Sequence, residues 1–168
     1  EFLNFPKVLV FSTGYMANLG ILGSLLQRNT AVFVDKLSHA SLIDGVKLNT
    51  ARFKRYPHNK LAILEKHLMQ SISRQKFIVT DGVFSMDGDM ALLPSLIEIA
   101  QKFSSTLLVD DAHGIGVLGK NGIGICELFR CKPDILSGGF GKAFGCFGGF
   151  VASNEVIIEN LIQFARPY

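Results

Sequence analysis

Thr106-Leu107-Leu108-Val109-Asp110-Asp111-Ala112-His113-Gly114 is an apolar, β-prone run that ends abruptly in two acids and a histidine. A short continuous apolar run suits a strand buried on both faces, as in a parallel sheet covered by helices. Packing does not account for charge at the end of such a strand, whereas a ligand at the carboxyl edge of the sheet does. Before it, Pro94 at a first turn starts a helix through Leu96, Ile97, Ile99, Ala100 and Phe103.

The same alternation extends in both directions. Towards the N-terminus, Val8–Phe11 reads as a strand, Ser12-Thr13-Gly14-Tyr15 as a turn, and Met16–Gln27 as a helix with Leu19, Leu22, Leu25 and Leu26 on its apolar side. Strands are then expected at Ala31–Asp35, Arg52–Tyr56 and Phe77–Thr80, with helices at Leu42–Lys47 and Leu61–Ser73 between them. Towards the C-terminus, residues 114–124 are glycine-rich and read as a surface loop. Asp134–Ser137 and Phe147–Ala152 read as strands, and Asn154 caps a helix running to Ala165. The pattern predicts an α/β fold, a mostly parallel sheet flanked by helices.

Composition narrows the class. The chain has 168 residues, 48% apolar and 18% charged, enough for one core. Its net charge of +3 is scattered, without the basic run that nucleic acid or a membrane surface would require. There is no membrane-length apolar run, and the three cysteines, Cys126, Cys131 and Cys146, match neither a zinc site nor a disulfide framework. A cytoplasmic protein without nucleic-acid, membrane or metal partners is expected. The chain starts at Glu1 and stops at Tyr168 directly after a helical segment, so both ends are expected to be cut.

The strand ends supply a chemically coherent set: Gly14 and Tyr15 at a strand–turn–helix anion site, His39, Ser85, Asp110, His113, and Lys142 within the glycine loop Ser137–Gly145. Pyridoxal 5'-phosphate needs such a set. A lysine forms its Schiff base, an acid keeps the ring nitrogen protonated, donors meet the phenolic oxygen and an anion cradle takes the phosphate. Each residue also has a plain reading: Lys142 as a solvated charge, His39 as a cap or surface ring, Ser85 as a turn serine, and Asp110 and Asp111 as loop acids. Asp87-Gly88-Asp89 lacks the acidic spacing and terminal glutamate of a calcium loop. Gly141-Lys142-Ala143 lacks the hydroxyl residue and the earlier glycine of a nucleotide loop, and Gly122-Ile123-Gly124 lacks the third glycine of a dinucleotide fingerprint.

Four ordered motifs, Leu37–Ser41, Thr80–Asp89, Val109–Gly114 and Phe140–Gly145, resemble the α-oxoamine synthase family. These are pyridoxal-phosphate enzymes of the aspartate aminotransferase fold type that join an amino acid to an acyl thioester and release CO2 and CoA. The resemblance implies Lys142 as Schiff-base lysine and α-carbon acid/base, Asp110 at the ring nitrogen, and His113 at the phenolic oxygen, with Ser85 as a second donor there. It also implies His39 on the ring face and Gly14 and Tyr15 against the cofactor. The pattern departs from the family at Gly139, where a threonine usually gives its hydroxyl to the phosphate.

Ser38–Ser41, the Tyr56-Pro57-His58-Asn59 turn and the Gln163–Tyr168 ending resemble the branch that joins L-alanine to pimeloyl-CoA or its carrier-protein thioester in biotin synthesis. Asp81 before Gly82 resembles the rival branch acting on glycine and acetyl-CoA. By resemblance the protein is a homodimer. The 168 residues are then a partial large domain, without the family's N-terminal segment and C-terminal small domain, and are expected to be inactive alone. A non-catalytic fragment that binds only cofactor or a partner subunit is the remaining alternative.

Overall fold

The computed structural model describes residues 2–168. In chain order the elements are β1 (Lys7–Phe11), α1 (Gly14–Leu25), β2 (Thr30–Asp35), α2 (Ala40–Lys47), β3 (Arg52–Tyr56), α3 (Leu61–Met69) and β4 (Gln75–Asp81). They continue as α4 (Leu93–Lys102), β5 (Thr106–Asp110), α5 (Ile125–Phe129), β6 (Ile135–Gly139), β7 (Gly149–Ser153) and α6 (Glu155–Phe164). The strands form one sheet in the order β1-β7-β6-β5-β4-β2-β3. β7 alone runs against its neighbours, pairing antiparallel with β6 and β1, and the other pairings are parallel. The expected α/β class and mostly parallel sheet are observed.

Strand alternation divides the core between the two faces of the sheet. In β4, Phe77 and Val79 point to the face covered by α1, α2 and α6, where they join Ile21, Leu22, Leu42, Val46, Ile158 and Leu161. Ile78 points to the other face, with Leu64, Leu68, Leu93, Leu96 and Ile125 from α3, α4 and α5. Each such buried aliphatic or aromatic side chain contributes about 1.5–3 kcal/mol, so neither face can lose its helices. At one edge of the sheet, β3 exposes Arg52, Lys54 and Arg55, charges that discourage pairing with another strand.

Several expectations are corrected. Gly14 and Tyr15 are not turn residues but the first residues of α1, because the Thr13 hydroxyl caps the helix by accepting from the Met16 N–H at 3.0 Å. The buried face of α1 is Ala17, Asn18, Ile21 and Leu22, with Leu19 and Leu25 only partly covered. α3 stops at Met69 rather than Ser73. Phe147 and Gly148 precede β7 rather than belong to it.

The glycine-rich stretch before Cys126 also hides α5. Its first N–H, on Ile125, is capped from 14 residues upstream by Asp111 Oδ2 at 2.8 Å. A cap that distant leaves no local signal in the sequence. All three cysteines are free, and no helix among the described residues is long and apolar enough to cross a membrane.

Candidate active site

The carboxyl ends of the parallel strands meet at one edge, and the register fixes who stands beside whom. Asp81 is opposite Asp110, Asp110 is opposite Ser137, and Gly139 is opposite Gly149, which is in turn opposite Phe11. A cavity of about 290 Å³ opens there, close to the lower end of small-molecule sites. Gly14, Tyr15, His39, Asp110, His113 and Lys142 all line it. Ser85 does not: it lies in an exposed turn, held away with the Phe84–Met90 loop.

Close backbone approach builds the corner between α1 and the glycine loop. A Cβ on Gly149 would stand 2.4 Å from Gly14 N and 2.5 Å from Thr13 C, so only glycine lets β7 pass beneath the start of α1. The first turn of α1 presents its N–H groups into this corner together with the helix-dipole charge, a setting for an anion.

Asp110 is buried, with Oδ1 accepting from the Ala112 N–H at 3.0 Å and Oδ2 from Asn18 Nδ2 at 2.6 Å. Burial, and after it the Lys142 ammonium, holds His113 below the usual histidine range, which favours the neutral ring. Lys142 is exposed at the cavity wall and makes no ion pair among the described residues. His39 is exposed and lines the cavity. The Tyr15 hydroxyl donates to Asp44, and its ring meets His39 edge-on at 6.3 Å.

Sequence reasoning missed two acidic and amide groups. Asp81, read as the opening of a loop, is the last residue of β4, lines the cavity and accepts the His39 N–H at 2.9 Å. Burial, and after it the charge of Asp110, pushes the Asp81 carboxyl upward. Its position at a strand end was the available signal. Asn18, in the second turn of α1, had none, since one polar residue on a helix reads as surface. Asp111, the second acid of the motif, faces away from the cavity. Gly82, Gly114 and Gly124 surround its carboxylate, each too close for a Cβ, at 2.6, 2.1 and 2.0 Å from an Asp111 oxygen.

The donor set fits pyridoxal phosphate: an unpaired lysine amine, a buried carboxylate fixed by two donors, an imidazole held below its usual range, an exposed second imidazole and a helix N-terminus at one cavity. Gly139 lines the cavity where the family's threonine would stand, and the space beside it is open enough for a side chain, the nearest atoms to its Cβ being 3.9 Å away.

Fold and site together define a class, and residues 2–168 match the family of class I and II aminotransferases, to which this chain belongs. Within it the resemblance to α-oxoamine synthases is borne out. The chain is 53% identical, over its whole length, to the 8-amino-7-oxononanoate synthase of Nitrosospira multiformis, covering 43% of that protein. It is 52% identical over 99% of its length to that of Nitrosococcus oceani, covering 45%.

Among solved structures it matches the Francisella tularensis 8-amino-7-oxononanoate synthase with a TM-score of 0.86 at 43% identity, covering 98% of this chain and 48% of that one. It also matches a serine palmitoyltransferase of S. paucimobilis with a TM-score of 0.94 at 39% identity, covering 99% of this chain and 43% of that one. The expected fold type is thus observed. The chain spans less than half the length of these relatives.

Proposed function

We propose that this chain is the cofactor-binding large domain of a pyridoxal-phosphate-dependent acyltransferase that condenses L-alanine with a pimeloyl thioester, on CoA or a carrier protein. The product would be 8-amino-7-oxononanoate, made in the cytoplasm by a homodimer. The observation that carries this reading is the convergence of Lys142, Asp110, His113 and His39 on one cavity at the carboxyl edge of the sheet. The similarity to 8-amino-7-oxononanoate synthases supports the substrate choice.

Pyridoxal phosphate, when bound, supplies an electron sink for negative charge at the substrate α-carbon. The chain's own residues do the rest. The Lys142 amine would hold the cofactor and move the α-proton, a task suited to an amine without an ion-pair partner. Asp110 holds a proton at the ring nitrogen through its charge. His113 would donate to the phenolic oxygen, His39 would cover the ring face and exclude water, and Gly14 and Tyr15 would hold the phosphate at the start of α1. Ser85, in its exposed turn outside the cavity lining, would be a second donor to the phenolic oxygen only if its turn moved towards the site.

Because the relatives are more than twice as long, the remaining substrate-binding walls are assigned to parts of the enzyme outside these 168 residues. The chain alone is then inactive or very weak. The rival reading, glycine with acetyl-CoA, rests on Asp81, which the fold places in the cavity. Thiol release by the full enzyme decides between them: alanine with pimeloyl-CoA should release CoA faster than glycine with acetyl-CoA. The opposite order overturns the substrate assignment while leaving the cofactor site standing.

A further inference from the structure

Asn18 is 1% exposed, and both its side-chain N–H groups and its carbonyl oxygen are hydrogen-bonded. One side-chain N–H donates to Asp110 Oδ2 at 2.6 Å and Nδ2 also donates to Ser41 Oγ at 2.9 Å. Its Oδ1 accepts from the Ser137 hydroxyl at 2.7 Å. The partners sit on β5, α2 and β6, so a residue of α1 ties three other elements together.

The direction of every bond in this chain follows from chemistry. A carboxylate only accepts, so the amide must turn its NH2 towards Asp110 and its oxygen towards Ser137; the flipped amide would set its carbonyl against the carboxylate. Ser41 Oγ, having accepted from Asn18, has its own proton left for His39 Nδ1, 2.8 Å away. The Ser41 N–H also points at that nitrogen, at 3.2 Å. His39 Nδ1 is therefore the acceptor and the His39 proton sits on Nε2.

We propose that Asn18 is a positioning residue of the cofactor site, its amide locking the Asp110 carboxylate and the Ser41–His39 pair into one rigid unit. The acid that meets the ring nitrogen and the imidazole that covers the ring face then hold a fixed separation before any ligand enters. Such pre-organisation removes the cost of ordering these groups when the cofactor binds. An ordinary core asparagine would stabilise the fold without regard to Asp110. The inference rests on the cofactor reading above.

The test is a double-mutant cycle on the protein, with the dissociation constant of pyridoxal phosphate read from its visible absorbance and thermal unfolding measured alongside. Asn18→Ala should weaken binding roughly tenfold or more when Asp110 is present, the loss of one charge-assisted hydrogen bond. In an Asp110→Ala background the same change should cost less than about twofold, because the group it acts through is gone.

Ser137→Ala, which removes only the bond that orients the amide, should weaken binding in the same direction and again only with Asp110 in place. It carries the test if Asn18→Ala does not fold. Equal losses in both backgrounds, or unchanged binding in Ser137→Ala and Asn18→Ala, would overturn the proposal while leaving the cofactor reading intact. Wild-type protein without Lys142-dependent absorbance would overturn both.

Discussion

Asp81 and Asp110 stand opposite each other in register on adjacent parallel strands, both buried and both lining one cavity. Two carboxylates so placed do not share the same role. Asp81 is pushed upward by burial and by the charge of Asp110, and serves as acceptor for the His39 N–H. Asn can imitate a neutral Asp81 but not a charged Asp110. Asp81→Asn should leave the pyridoxal-phosphate dissociation constant within about twofold of wild type, whereas Asp110→Asn should raise it roughly tenfold or more. Titration of cofactor absorbance in the two variants measures this, and the reverse order would exchange their assignments.

Asp111 makes the stability of the fold depend on pH. Burial lifts its carboxyl from 3.8 to about 7, while the Ile125 N–H acts the other way. A folded-state value above the unfolded one means that the native state holds the extra proton. Its contribution is complete below pH 3.8 and is lost as pH rises through about 7. Asp111→Asn, which keeps an acceptor for Ile125, should flatten that decline, whose steepest slope for a single proton is about 1.4 kcal/mol per pH unit. Denaturant unfolding across this range would show it, and parallel wild-type and variant profiles would refute it.

The open space beside Gly139 invites a gain of function. A Cβ there would lie 3.9 Å from both Gly14 Cα and Gly148 O, ordinary contact distances. Gly139→Thr should fold and, by adding a hydroxyl facing the phosphate corner, tighten pyridoxal-phosphate binding by about tenfold, the value of a modest charge-assisted hydrogen bond. Equal binding in wild type and variant would place the phosphate elsewhere.

His58 fastens the Ser85 turn. Its Nδ1 meets Asp35 at 3.0 Å, its Nε2 meets Asp89 at 2.7 Å, and its ring packs edge-on against Phe84 at 4.3 Å. Burial lowers its affinity for a proton, but the hydrogen bonds its ring donates to Asp89 and Asp35 outweigh this and the balance is raised above 6.5. The charged clamp therefore contributes fully below pH 6.5 and fades as pH rises through the folded-state value. Partial exposure limits it to about 1 kcal/mol. Amide exchange in residues 84–90 should accelerate with pH beyond its intrinsic rate in wild type, and His58→Ala should abolish that excess.

Much of this architecture is legible in the sequence because buried parallel strands leave unbroken apolar runs, as at Thr106–Val109, and because charge at their ends has no packing explanation. Asp110, His113 and Lys142 are found that way. Asn18 escapes because a buried polar residue on a helix is specified only by partners 23, 92 and 119 residues away. The same holds for α5, whose cap is Asp111. The motif around Ser85 points to the site, whereas Ser85 itself stands in an exposed turn and does not line the cavity. Pattern reports which residues can do chemistry, whereas tertiary contacts decide where they point.

In the function proposed above, everything turns on Lys142 carrying the cofactor. Borohydride reduction of the protein with pyridoxal phosphate, followed by peptide mapping, tests it most directly, since reduction makes the lysine–cofactor link permanent. One modified residue, Lys142, with the visible absorbance lost in Lys142→Ala, is the predicted result. A folded protein that gains no adduct at saturating cofactor, or gains it on another lysine with Lys142→Ala unchanged, would contradict that role.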